Sequence, residues 1–515
     1  NPFLDPTTSE WWFDSFSKAK YENIAHYNPE LTWTKKEENK LLTKLNLTVM
    51  LMVSLMFFGF HINKASFGDA LRGGMAYDVD MQSSRYSMNG DSFDYERACQ
   101  IILAIPSVLV AKKIGPHIWL PIILCIYCAL GGLSSLINET ATAIGIRAAM
   151  GGVGAGFIPS CVLYLSYFYT SDQLAMRLAC LWIVKTVADI FSGYLAYATD
   201  RVEYSPKPTA IDGWQLLFVA EGLVPLLGAI IIAFFLPPSL TEKKKWQREI
   251  LTEHEKEIQV NSVLRDDPSK GLSSRHKAVS LMEIIKSIFD FDLYPIYFIA
   301  LIAFIPFDTY ETYLLLCIRQ FMTIRQSIAR FSFRMPWRIL YMAFLVSITK
   351  ISENLNERTL VSLIFPLWQL PLLGVMTWWR KTLYDEWGSA LVVSLALAAP
   401  NIIAILQSWV SRNSGSNGKR AISAAMFMMF IDAGYMISSC IYHTKYLPTL
   451  KKGSLNLFII MIITTVVLIL TKVYYVVRNR MKVNKWSNFT EEEQNSYLVT
   501  HGWKGNKTAF YNLAH

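Results

Sequence analysis

One positive charge inside an otherwise apolar stretch sets the chemical question. Residues 141–169 read ATAIGIRAAMGGVGAGFIPSCVLYLSYFY, with Arg147 less than two helical turns from the start. An arginine in hydrocarbon costs at least about 2.5 kcal/mol unless it reaches a partner, a cavity or an interface. Gly151, Gly152, Gly154 and Gly156 follow, closed by Pro159. They remove side chains, so a neighbouring helix or a ligand can approach the backbone. The plainer reading is an arginine snorkelling to the nearer interface, with glycines that only pack helices. The sharper one is a fixed cation in a polar cavity that receives an anion. Acids at membrane depth would complete a proton-coupled cycle. Asp308 and Glu311, in FDTYETY, lie three apart on one helix face, and Asp432 stands in the middle of another apolar run. All three are candidates for carrying the proton. Tyr310, between the first two, is a candidate to line the substrate path, although a tyrosine in a span also serves as packing. Lys185 and Asp189, four apart, can neutralise one another.

These residues need a membrane scaffold, and the sequence supplies one. The chain has 515 residues, 52% of them hydrophobic, and a mean hydropathy of +0.28, so polar segments must interrupt the apolar ones. Twelve stretches are long and apolar enough to be spans: 46–66, 93–111, 117–137, 141–169, 174–198, 213–236, 293–318, 331–350, 359–379, 387–410, 420–442 and 455–477. This predicts an all-α membrane protein of twelve transmembrane helices in two six-helix halves. The segments are 1–46 (N-terminal, cytoplasmic), 47–236 (first bundle), 237–288 (charged cytoplasmic linker), 289–477 (second bundle) and 478–515 (cytoplasmic tail). Thr34 with Glu37 three later predicts a capped amphipathic helix ahead of the first span.

Lys35, Lys36, Lys40, Lys44, Lys112, Lys113, Lys419, Arg420, Arg478 and Arg480 all fall on one side, which the distribution of basic loops assigns to the cytoplasm. Arg319, Arg325, Arg330 and Arg334 run against that rule, which leaves spans seven to nine the least secure. Asn138-Glu139-Thr140 is a glycosylation pattern on a predicted outer loop. The 49 basic against 40 acidic residues give a net charge of +9, which in such a chain points to anionic membrane lipid and not to nucleic acid. Cys125 and Cys128 lie inside a span, as small core residues more than as redox or zinc ligands. No phosphate loop, metal-ligand histidine pair or nucleophile elbow is present, so no enzyme activity, metal or cofactor is expected. His61 and His443, near span ends, read as interfacial.

Several longer stretches carry a resemblance. GIRAAMGGVGAGFIP, GWQLLFVAEG (213–222), VNSVLRDDPSKG (260–271), WVSRNSGSNGKRA (409–421), IYHTKYLP (441–448) and KWSNFTEEEQNSYL (485–498) occur in this order. The ordered set resembles the fungal allantoate permease family, also called anion:cation symporters, of the major facilitator superfamily. The resemblance covers roughly residues 30–500. It implies uptake of a small organic anion such as a ureide, a vitamin or a sulfur compound, usually with protons, by a monomer that works through alternating access.

By that resemblance Lys64, in FGFHINKASFGDA, takes the place of a basic residue near substrate, and with Arg147 it would give two cations suited to a carboxylate or sulfonate. Lys112 and Lys113 resemble the superfamily's gating loop, while Trp409 and Asn413 read as gate or packing residues and Glu221 as a helix brace near the inner surface. The departures are Asn63, Ala104, Val108 and Gly154, which stand where the family carries polar or acidic residues. They motivate two other readings: a non-transporting nutrient sensor with the same fold, or a carrier of a cationic vitamin, which would use the acids. The membrane is either the plasma membrane or the endoplasmic reticulum.

Overall fold

The computed structural model describes the chain apart from residues 1–2, 4–5, 76–77, 80–90, 204–211, 240, 242–250, 272–278, 311–334, 380–385, 442–450, 502–507 and 510–512. Within the described residues, helix occupies each of the predicted spans. In order they are Leu51–Ala70, Asp91–Ile114, Pro116–Leu133, Thr140–Gly154 continued by Phe157–Phe168, Ser171–Glu203 and Gly213–Phe235. The second set is Tyr294–Ala303, Met335–Leu355, Ile364–Trp378, Glu386–Leu397 with Ile403–Asn413, Asn417–Ile441 and Lys451–Ser487. Seven helices among the described residues are by themselves long and apolar enough to cross a membrane. The last helix runs ten residues past the predicted end of span twelve, because VRNRMKVNKWS holds no glycine or proline to stop it.

Local chemistry accounts for the interruptions. Span four breaks at Ala155–Gly156, and a methyl added at Gly156 would lie 2.1 Å from the Ser107 hydroxyl, so span two passes close by. Span ten breaks before Pro400, which has no N–H to continue the helix. Asn401 then accepts the Ile403 N–H through its side chain at 2.8 Å and starts the second half. The Thr34–Glu37 capping box forms as predicted, and Asp212 with Gln215 caps span six in the same way. Lys185 and Asp189 pair at 2.8 Å.

The two halves meet at both ends of the bundle. At the end that carries the linker, Arg412 of span ten pairs with Asp172 of span five at 2.9 Å, and Glu353 of span eight accepts the Met176 N–H at 2.9 Å. Further in, Trp182 donates to Gln407 at 3.1 Å. The linker forms a helix, Glu253–Asp266, capped by Thr252. Phe3, Trp12, Phe16 and Tyr21 of the N-terminal segment pack on its Val260 and Leu264. Arg265 donates to Leu31 O at 2.6 Å and stacks on Trp33. Beyond it, Leu281–Ile288 is a short helix whose Leu281, Met282 and Ile285, with Phe289 and Phe291 just after, are exposed apolar side chains. Such a stripe next to a span suits the bilayer interface.

Candidate functional site

The site grows from span four. Thr140–Gly154 places Arg147 seven residues from the end opposite the linker, about 10 Å down the helix axis. Its side chain is 1% exposed. Gly151, one turn further on, lets span two come close: a methyl there would sit 2.2 Å from the Glu96 carbonyl oxygen. That approach brings the Glu96 carboxylate, also 1% exposed, against the Arg147 guanidinium in a direct ion pair. The guanidinium also lies over the Phe67 ring, 4.6 Å from its centroid. From span one, Lys64 Nζ stands 3.9 Å from the other Glu96 oxygen and keeps a third of its side chain accessible. Lys64 and Arg147, proposed from the sequence as a cation pair, therefore converge on one carboxylate.

Arg147 is thus not a snorkelling residue, and Glu96 is the partner that sequence reasoning missed. It lies in DSFDYERAC at the edge of the predicted span 93–111, where Asp94 and Glu96 were not singled out. The one available signal was Gly151 on the face of span four beside Arg147, which announces a close neighbour without naming it.

The second half contributes next to this triad. Asp432 of span eleven is 8% exposed and faces Lys64, Arg97 and Glu96. Asp308 of span seven is held by Arg97 of span two, whose Nη2 lies 3.0 and 3.2 Å from its two oxygens, and by the Ser438 hydroxyl at 2.5 Å. Arg97 also donates to Tyr435 O at 2.9 Å, and Asp94 accepts from Ser439 at 3.0 Å. Asp308 is therefore part of a contact between halves. Tyr310 is buried two residues further along, and Glu311 lies outside the described residues.

Other residues singled out from the sequence sit elsewhere. Glu221 is eight residues past Gly213, the start of span six, and fully buried inside the first bundle, not near the linker end. A run of apolar neighbours gave no sequence cue to its depth. Its backbone carbonyl accepts from Asn63, so Asn63 points between spans three and six, away from Lys64 and Arg147. The space at Gly154 is filled by the Phe60 and Tyr127 rings, 4.4 Å apart, and Ala104 and Val108 are buried in the core. Aromatic and aliphatic packing thus occupies the positions where the sequence departs from its polar pattern. His61 is buried against Phe57 and is not interfacial.

Lys112 is buried beneath the Tyr167 ring while Lys113 is exposed at the linker end, where Gly115 takes a φ of 105° to turn the chain. Trp409 and Asn413 both bind the carbonyl of Ala514, at 2.7 and 3.1 Å, so they hold the chain's last residues. Among the described residues no group of His, Cys, Asp and Glu is arranged to hold a metal ion.

The comparisons with known proteins fit this architecture. No family model matches the chain. The uncharacterized transporter YIL166C of Saccharomyces cerevisiae is 30% identical over 524 residues, covering 100% of this chain and 94% of its own. The MFS-type transporter cnsO of Penicillium expansum is 25% identical over 450 residues, covering 85% and 83%. Among solved structures, the proton:xylose symporter XylE of E. coli superposes with a TM-score of 0.59 at 14% identity, over 83% of this chain and 95% of its own. The fucose:proton symporter FucP of E. coli, in its outward conformation, gives 0.55 at 10% identity, over 82% and 98%. Those two likenesses concern the fold. The relatives are transporters and not enzymes, and with 30% identity to one of them across the whole of this chain, the chain belongs to the major facilitator superfamily of multi-pass membrane transporters.

Proposed function

We propose that this transporter carries a small organic anion, a carboxylate or sulfonate, together with protons, by alternating access between its two halves. The observation that supports the reading most is the convergence of Lys64 and Arg147 on Glu96, a largely buried triad with one net positive charge, beside which Asp432 of the second half stands. A guanidinium fork and an ammonium together match a carboxylate better than a neutral sugar or a cation. Asp432 is the acid of the second half placed to sense that charge, and Asp308 acts mainly as a latch. The ordered motifs that resemble the allantoate permeases support the same substrate class. The linker and both chain ends are assigned to the cytoplasm on the basic-loop pattern, and the working unit is taken as a single chain.

The test is uptake by the full-length chain in proteoliposomes, with labelled allantoate, nicotinate, pantothenate and cysteate offered under an inward proton gradient. Accumulation of one of them is expected. Arg147→Ala removes charge-assisted hydrogen bonds of about 1.5–3 kcal/mol, so apparent affinity should fall roughly 10- to 150-fold. Uptake indifferent to Arg147→Ala would refute the reading. Binding without counterflow would instead identify a sensor, and uptake of thiamine alone a cation carrier.

A further inference from the structure

Glu96 occupies the position an incoming anion needs. Its carboxylate is 1% exposed, one oxygen engages Arg147, and the other has no hydrogen-bond partner among the described residues and stands 3.9 Å from the Lys64 ammonium. We propose that Glu96 is a built-in substitute for the substrate anion and the site at which the co-transported proton is loaded. The inference rests on the anion-carrier reading above.

The argument is one of charge and geometry. With no anion present, a lone Arg147 at this depth would be costly, and Glu96 offsets that cost. A substrate carboxylate that takes the Arg147 fork must displace the Glu96 oxygen that covers it, and an ionised Glu96 left beside it would repel it. When Glu96 takes a proton it becomes neutral and releases Arg147, and the substrate carboxylate forms the new ion pair. The step balances: one proton and one monovalent anion come in, one ion pair breaks and one forms, and the net charge of the site stays at one positive. The orphan oxygen facing Lys64 is the natural place for the proton, since the other is covered by Arg147. On release of the substrate the proton must leave as well for the Glu96 carboxylate to return to Arg147, and that constraint ties the two fluxes together.

Among the described residues the charged and titratable groups recorded near Glu96 come from five spans, with Asp94 two residues before it on its own helix. Span one presents Lys64, span four Arg147, span three Tyr127, span eleven Asp432, and Arg97 follows Glu96 on its own helix. Asp432 is the other acid beside the site, facing Lys64 and Arg97, while the carboxylate paired with Arg147 is that of Glu96. Exchange of Asp432 for asparagine is therefore the matched control.

The experiment uses the full-length protein in lipid nanodiscs, with the same four anions as probes at several pH values. In the wild type, affinity for the binding anion should drop about tenfold per pH unit on the alkaline limb, the signature of one linked proton. In weakly buffered solution one proton should be taken up per anion bound, a readout that needs no variant. Glu96→Gln should bind the anion at least as tightly with a flat pH profile, still exchange it across proteoliposomes, and no longer accumulate it under a proton gradient. Asp432→Asn, which removes a charge facing Lys64, should displace the alkaline limb along the pH axis and keep its slope. A Glu96→Gln protein that retains the slope and the accumulation overturns the proposal, as does wild-type binding without proton uptake. If neither protein binds any of the four anions at any pH, the anion-carrier reading fails first and takes this inference with it.

Discussion

Arg97 of span two and Asp308 of span seven clasp the two halves at the end away from the linker, with Nη2 of the arginine 3.0 and 3.2 Å from the two carboxylate oxygens. Both side chains are mostly buried, at 17% and 26% exposure, so solvent screens the pair only in part. Any opening at this end must separate them. Asp308→Asn and Arg97→Gln should each favour the open form by about 1–2 kcal/mol, between the values for exposed and buried pairs. That is roughly a 5- to 30-fold gain in thiol labelling of a cysteine placed at Ala433. The double variant should gain little more than either single one, and additive effects would show that the pair is not a latch.

Asp266 and Asp267 divide the linker end in a similar way. Asp266 accepts the Ser171 N–H of span five at 2.7 Å, while Asp267 pairs with Arg420 of span eleven at 2.5 Å. The second pair is almost fully buried, and Arg420 also donates to the Ser411 and Gly415 carbonyls. Beside it the buried Lys270 donates to Tyr169 O at 3.1 Å. Burial, with Arg420 adding repulsion, pushes the Lys270 ammonium down to about 8. A docked linker therefore binds fewer protons than a released one between about pH 8 and the ordinary lysine value near 10.4. Docking must strengthen as pH rises through that window, and the penalty is fully present below it. Limited proteolysis of the linker should slow between pH 8 and 10, by up to about tenfold per unit, and Lys270→Met should abolish the trend. Asp267→Asn, which strands Arg420, should cost roughly 3–5 kcal/mol of docking at every pH and leave the linker readily cut.

Gly151 and Gly145 offer a paired test of how span four is packed. A methyl at Gly151 would lie 2.2 Å from backbone of span two, whereas one at Gly145 would meet nothing within 4 Å. Gly151→Ala should lower the thermal midpoint in nanodiscs by an overpacking cost of about 1–3 kcal/mol, and it should weaken anion binding by displacing Glu96. Gly145→Ala should leave both unchanged or slightly improved. Equal behaviour of the two would mean that the close approach of spans two and four is not tight.

What the sequence displayed well was what a single helix decides for itself. The apolar runs, the Thr34 cap and the Lys185–Asp189 spacing are local, and each reappears at the expected place. Arg147 could be marked because a charge in hydrocarbon is conspicuous in one dimension. Its partner could not, since Glu96 lies 51 positions earlier and nothing in its own neighbourhood distinguishes it from Asp91 or Asp94. Glu221 and His61 were misplaced for the same reason, as depth within a bundle depends on which faces other helices cover. Asp308 looked like a free membrane acid until Arg97, from a helix far away in sequence, was found beside it.

The helix Leu281–Ile288 has a further consequence. Leu281 is 79% exposed and Phe291 70%, and this oily stretch leads straight into span seven, which carries Asp308. Whatever acyl chains lie beneath it act as a floor on which that span stands. A bilayer surface under this stretch would couple its thickness to the tilt of the helix and, through it, to the Arg97–Asp308 clasp.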